Sequence, residues 1–238
     1  MKTPYNVDTQ NHCDACHFRE ERQFCNMAAP AVKRMDEIKF TAVYPKGSIL
    51  FVEGEQPRGV FIVCSGRAKL TTSSAEGKTL IVKIAEAGEV LGASASILGT
   101  PYEVSAETLE PTQVNFIRRE DFMAFLTSHP EVCLHTAQQL SAKYHSAQRE
   151  IRSLGLSQST SEKLARLFLD WSERNGEETA TGIRLKVLLT HEEIAQMIGT
   201  TRETVTRILS DFKRRKIIEV KGSSMFLQVP ALEAMVSI

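Results

Sequence analysis

The chain has no run of eighteen consecutive apolar residues, so no stretch of it is expected to cross a bilayer as a helix. Its opening, MKTPYNVDTQNHC, has no apolar core of the signal-peptide kind, which predicts a cytoplasmic protein with reduced thiols and no membrane partner. Cysteine is scarce, with 5 in 238 residues, so a disulfide framework is not expected to hold the fold. Histidine is missing from the whole of 40–117, which removes the paired-His metal sites that barrel-shaped oxygenases and isomerases need. Nothing resembles a Ser-His-Asp set or a phosphate loop, and no enzymatic activity is expected. An excess of one charge is lacking too, since 29 Lys and Arg meet 29 Asp and Glu. That balance would argue against nucleic acid, but it conceals a local bias. Residues 202–221 carry Arg202, Arg207, Lys213, Arg214, Arg215, Lys216 and Lys221 against only Glu203, Asp211 and Glu219, a surplus that phosphates would feel.

Of the 13 glycines, eight fall between Gly47 and Gly99, separating short runs such as SILFV, VFIVC and TLIVKI. Such punctuation predicts many short antiparallel strands and a small β-barrel or jelly roll. From about Arg118 helical periodicity takes over. Cys133, Ala137, Leu140, Tyr144, Ala147, Ile151 and Leu154 recur at alternating intervals of four and three, a heptad seam of three repeats. With Lys143, Arg149, Glu150 and Arg152 off it, a seam this narrow suits a second copy of the same helix; the alternative is packing on the chain's own barrel. Leu140, Tyr144, Ala147 and Ile151 are the predicted dimerisation residues. Gly155 and SQSTS then read as a hinge, and Ser159 with Glu162 has capping-box spacing for a helix ending near Asn175.

Near the C-terminus Thr190 and Glu193 fit a capping box, Gly199 marks a stop, and Thr200 with Glu203 fits a second box opening a helix through about Arg215. Two helices joined by a short glycine turn are the helix-turn-helix signature. Val205, Ile208, Leu209 and Phe212 fall on one side of the second helix, and Arg202, Glu203, Thr206, Arg207, Ser210, Lys213 and Arg214 on the other. Arg forks match guanine O6 and N7, and a carboxylate accepts from cytosine N4. Thr201, Arg202, Glu203, Thr206, Arg207 and Lys213 are therefore the predicted contacts to double-stranded DNA. IIEV, KGSS and MFLQV read as two strands around a turn, a wing beside that helix.

THEEIAQMIGTTRETVTRIL, the wing, the glycine-punctuated barrel and the long connecting helix resemble the CRP/FNR family of bacterial transcription regulators over roughly 35–238. The resemblance implies an α+β fold: an N-terminal cysteine-containing segment (1–34), a β-roll or jelly-roll sensor domain of the cyclic-nucleotide-binding type (35–128), a long dimerisation helix (129–156) and a winged helix-turn-helix (157–238). It further implies a homodimer that reads a palindrome and works with RNA polymerase. Arg202, Glu203 and Arg207 stand in the Arg-Glu-x-x-x-Arg pattern of the catabolite-activator branch, which implies a TGTGA-like half-site; the oxygen-sensing branch has an apolar residue at the place of Arg202 and prefers TTGAT.

The resemblance also bears on the signal. Relatives that bind cyclic AMP use a Gly-Glu pair and an Arg-Ser-Ala, where this chain has GASASILGTPYEVSA, with Ala93 for the Glu and Val104 for the Arg. Gln148 and Arg149 stand where that branch places hydroxyls that meet the base. A buried phosphate without its guanidinium is poorly compensated, so cyclic AMP is not expected. His12-Cys13-x-x-Cys16-His17 and Cys25 offer another sensor, because clustered thiols in a reducing compartment bind metal or do redox work. Oxygen-sensing relatives hold a 4Fe-4S cluster with such a segment and a fourth cysteine from the barrel. Here eight residues separate Cys16 from Cys25 where those relatives have five, and Asn115 occupies the place of their fourth cysteine. Cys64, Cys133 or a non-cysteine ligand would have to serve, and the predicted set is Cys13, Cys16, Cys25 and Cys64. An iron–sulfur cluster, a zinc site using His12 or His17, a thiol redox switch and a purely structural role all stay open. So does a regulator that senses an unidentified small ligand in the β-roll while its cysteines are structural or zinc-bound.

Overall fold

The structure is a computed structural model that describes residues 9–156, 159–179, 182–186, 189–222 and 224–236, with the side chains of 149, 150 and 152–156 outside that description. The chain divides into two compact units, Met1–His145 and Ser146–Ile238. In the first, helix α1 (Ala29–Ile38) is followed by strands β1 (Lys39–Tyr44), β2 (Ile49–Phe51), β3 (Gly59–Ser65), β4 (Ala68–Ser73), β5 (Thr79–Ala85) and β6 (Val90–Leu91). Helix α2 (Ala93–Leu98), strands β7 (Ser105–Thr108) and β8 (Thr112–Arg118) and helix α3 (Arg119–Ser128) follow, and helix α4 (Pro130–Leu156) begins in this unit and ends in the second. The strands form two antiparallel sheets, β1-β8-β3-β6 and β2-β7-β4-β5, in keeping with the many short antiparallel strands expected from the glycine punctuation and the β-roll implied by the resemblance.

The run GVFIVC is apolar throughout because β3 is covered on both faces. Phe61 and Val63 join Phe51, Leu70, Leu91, Tyr102 and Val114 in the core between the sheets. Val60 and Ile62 face the other way and pack with Phe24, Met35, Ile117, Phe122, Phe125 and Val132. Gly59, which opens β3, is dictated by close approach, since a Cβ there would lie 2.0 Å from the Ile117 carbonyl oxygen.

Helix α4 presents two different stripes. Val132, Thr136, Gln139 and Lys143 face the roll: Gln139 donates to Gly88 O at 2.9 Å and accepts from Val90 N, and Lys143 donates to Val90 O at 2.6 Å. The seam residues Cys133, Ala137, Tyr144, Ala147 and Ile151 are exposed in the protomer. Leu140 is half-buried against the core that holds Phe24 and Val132 and lies on the roll side of the seam. Gly155 lies inside α4, while Ser157 and Gln158 of the expected hinge fall outside the described residues.

Burial pushes the Lys143 ammonium down to about 8, partly opposed by the Glu89 carboxylate. A depressed amine costs the fold stability wherever the unfolded chain would be protonated, so that cost is full below pH 8 and vanishes as pH rises toward the ordinary lysine value. Lys143→Met should therefore be more stable than the wild type at pH 7 by about 1–3 kcal/mol, after the loss of the bond to Val90 O. Urea unfolding at pH 7 and pH 10 checks this; the gap should shrink at the higher pH.

The second unit contains α5 (Thr160–Asn175), β9 (Glu177–Thr179), β10 (Gly182–Lys186), α6 (His191–Ile198), α7 (Arg202–Arg214), β11 (Ile218–Lys221), β12 (Ser224–Leu227) and α8 (Val229–Val236). Ser159 caps α5 by accepting from Glu162 N, as its spacing predicts. The wing is larger than expected. Its two strands extend into an antiparallel sheet β11-β12-β10-β9, whose β9 is polar and exposed and so shows no alternating pattern. Leu164, Phe168, Ile194, Val205, Leu209, Phe212, Leu227 and Leu232 form its core.

Candidate nucleic-acid interface and cysteine site

Helix α6 starts with the expected capping box: Thr190 accepts from Glu193 N, and Glu193 accepts from Thr190 N. It ends on Gly199 in the left-handed conformation. The second box is corrected by one residue. Thr201 caps α7 and accepts from Thr204 N, whereas Thr200 precedes the cap and Glu203 sits in the first turn. That offset costs nothing, because an acidic residue in the first turn still complements the helix dipole. Val205, Ile208, Leu209 and Phe212 are buried, fixing the helix about its axis. Arg202, Glu203, Thr206, Arg207 and Ser210 then line one open groove on the opposite side, with Thr201 and Lys213 also exposed.

Sequence reasoning missed a brace for this face. His191, in the first turn of α6, stands with Nδ1 2.9 Å from Thr206 Oγ1, and Thr206 also donates to Arg202 O at 2.9 Å. A histidine opening one helix fifteen positions ahead of its partner carries no periodic signal. The wing's Lys221 pairs with Glu219 at 2.9 Å and lies over the Phe226 ring.

At the other end of the chain, residues 13–27 wind through consecutive tight turns. Cys16 N donates to Cys13 O, Arg19 N to Cys16 O, Arg22 N to Arg19 O and Cys25 N to Arg22 O, a repeat of three residues. The three extra residues between Cys16 and Cys25 thus form one more turn of the same winding. The segment is pinned to the roll. Gln10 N and O bond the Gln113 amide, Cys13 N donates to both Asp36 oxygens at 2.9 and 3.1 Å, and Gln23 donates to Gln138 on α4. Phe24 is wholly buried in the core cluster that also contains Val132 of α4, and Cys25 packs against that cluster.

Cys13, Cys16, Cys25 and Cys64 are each half-buried, whereas Cys133 is exposed. Burial pushes the Cys13 thiol up to about 11, partly opposed by Lys39. It raises Cys25 to about 12, aided by Cys13 and Cys16, and Cys64 to about 12, aided by Cys25 and Cys13. Cys25 and Cys64 therefore both feel Cys13, and Cys64 feels Cys25. No three sulfurs lie within 4.8 Å of each other among the described residues; His12, Asp14 and Asp36 do form a group that close. Asn115, at the place of the missing family cysteine, donates to Cys13 Sγ at 3.8 Å and accepts from Thr41 at 2.7 Å.

Where cyclic AMP would bind, Ala93 is buried and Val104 packs against the inter-sheet core. Ser105 Oγ already accepts from Glu53 N at 2.9 Å. Tyr102 stacks on Phe51 with ring centroids 4.2 Å apart and donates to Gly59 O. Gln148 is exposed, and the Arg149 side chain lies outside the described residues.

Residues 41–129 match the cyclic nucleotide-binding domain and 162–235 the Crp-like helix-turn-helix domain. The chain is 25% identical over 184 residues to a CRP-like cAMP-activated global transcriptional regulator of Mycobacterium tuberculosis, covering 77% of this chain and 82% of that protein. It is 24% identical over 183 residues to the anaerobic regulatory protein of Bacillus subtilis, covering 76% of each. Among solved structures, a CooA mutant from Carboxydothermus hydrogenoformans superposes with a TM-score of 0.73 and 26% identity, over 84% of this chain and 89% of that one.

Proposed function

Because this chain belongs to the CRP/FNR family of transcription regulators, we propose that it acts as a homodimer on palindromes of TGTGA-like half-sites and takes its signal at the N-terminal cysteines. It is a DNA-binding regulator and not an enzyme. The observation that carries the half-site is the shared groove of Arg202, Glu203 and Arg207, whose donors and acceptor match the G·C pairs of such a half-site in the major groove. Thr201, Thr206 and Lys213 supply phosphate contacts that set register. Selection of binding sites from random duplexes tests this, with a TTGAT consensus or no palindrome as the overturning result. Arg207→Ala should cost about 1–3 kcal/mol of specific binding and relax one base position, while leaving the salt dependence nearly unchanged. Gel shifts against single-base variants of the selected site measure it.

For the signal, Cys13, Cys16, Cys25 and Cys64 are the ligands of a 4Fe-4S cluster. The thiols fit such a group in two respects. Cys13, Cys25 and Cys64 come from a loop and a strand into electrostatic reach of one another, with Cys16 in reach of Cys25, and all four are half-buried. Four thiols are also a soft donor set, the kind that suits an iron–sulfur core. When bound, the group would supply oxygen-labile redox chemistry beside the fold. The protein's own part is to hold Cys25 against the core cluster that contains Phe24 and Val132 and that also receives Leu140 of α4. A change at the thiols is thereby carried to the seam helix. Cyclic AMP is not the proposed signal, since Ala93 and Val104 offer no partner to a phosphate; calorimetry showing micromolar binding would overturn that. An absorption spectrum with iron, sulfide and zinc assays on anaerobically purified protein tests the cluster, and zinc without iron would overturn it.

A further inference from the structure

The Lys39 side chain is only 4% exposed, yet it carries an ammonium into a site built from sulfur. Lys39 is the first residue of β1, three positions after Asp36 on α1, and the junction aims it at the cysteine segment. Its Nζ stands 2.6 Å from Asp36 Oδ1 and 3.1 Å from Cys13 Sγ. The same charge is felt by Cys25 and Cys64, as is that of Arg22, one residue before Gln23 in the cysteine segment. Asp36 spends its two oxygens on Lys39 and on Cys13 N, so the carboxylate anchors the ammonium and the cysteine backbone together.

A buried ammonium is expensive. Its desolvation is recovered only where opposite charge and hydrogen bonds meet it, and a methionine would fill the same space without that cost. Here Asp36 meets it with charge and a hydrogen bond, and its other acceptor is the Cys13 sulfur, a partner that becomes charged as a thiolate. Thiolates around an iron–sulfur core leave net negative charge, which a buried site must offset. Hydrogen bonds to the sulfurs and nearby charge are also what set the potential of such a group.

We propose that Lys39 is a positioning residue of the cysteine site, donating to the Cys13 sulfur and holding beside it the positive charge that sets the reduction potential of the bound cluster. This rests on the reading that Cys13, Cys16, Cys25 and Cys64 ligate iron and sulfide. Removing a positive charge favours the oxidised, more positive form. Lys39→Met should lower the reduced-to-oxidised ratio at a fixed potential about tenfold, which is about 59 mV for one electron. Lys39→Arg should stay near the wild type.

The test is a spectroscopic redox titration of anaerobically reconstituted wild type, Lys39→Met and Lys39→Arg, with iron and sulfide counted in each. If Lys39→Met does not accumulate folded, Lys39→Gln, which keeps a donor and loses the charge, replaces it and should shift in the same direction. A lowered midpoint in the neutral variant with rescue in Lys39→Arg supports the role. Equal midpoints at equal iron content overturn it and leave the ligand assignment standing. A wild type that takes up no iron and sulfide overturns both.

Discussion

Cys64→Ser is expected to leave anaerobically reconstituted protein with little iron and sulfide, while Cys133→Ser retains as much as the wild type. The two cysteines look alike in sequence, each a lone thiol in an apolar segment. Their surroundings differ. Cys64 is half-buried on β3 and within electrostatic reach of Cys25 and Cys13, whereas Cys133 is exposed on the first turn of α4. Removing a ligand should exceed the loss of about 10–100-fold in affinity that follows removal of a ligand's supporting neighbours. Iron and sulfide analysis, with the visible spectrum, reads the result. The opposite pattern, loss in Cys133→Ser and retention in Cys64→Ser, would overturn the ligand set. Because Cys64 donates only a weak 3.7 Å contact to Ile62 O, serine should not unfold the strand.

The strongly periodic parts of the fold were legible before any coordinates. Ser159, Thr190 and Gly199 act where their spacing places them, because capping is local chemistry between residues three or four apart. The cap of α7 was off by one because Thr200 and Thr201 are chemically equivalent, and only the turn after Gly199 chooses between them. Strand β9 was not legible, since Glu177, Glu178 and Thr179 are polar and exposed on both faces and are held to β10 by the backbone ladder and an exposed Glu177–Arg184 pair. At the cysteine site, the thiols were visible as a pattern, but Lys39 and Asp36 were not. Their role comes from the α1–β1 junction, which brings them to Cys13 across more than twenty positions, and contacts at that range leave no trace in spacing.

Tyr144→Glu combined with Ile151→Glu is expected to convert the protein to a monomer and weaken binding to a full palindrome by about 10²–10⁴-fold, the gain that linking two reading heads confers. In the protomer Leu134 is 58% exposed, Tyr144 63% and Ile151 69%, an exposed apolar row along α4. The roll-facing stripe of Val132, Thr136, Gln139 and Lys143 is already committed, so the two faces of the helix have separate tasks. A second copy of α4 would cover the row with like residues across a two-fold axis, and paired carboxylates placed there would meet each other with no counter-charge on the seam. Since both side chains are exposed in the protomer, the substitutions should leave far-UV circular dichroism unchanged, which separates loss of assembly from loss of fold. Sedimentation equilibrium gives the mass, and gel shifts on whole and half palindromes give the affinity. The half-site alone should bind the variant as weakly as it binds the wild type, because the groove of Arg202, Glu203 and Arg207 belongs to one protomer. A variant that stays dimeric and keeps full affinity for the palindrome would show that the exposed row on α4 is not where two copies meet.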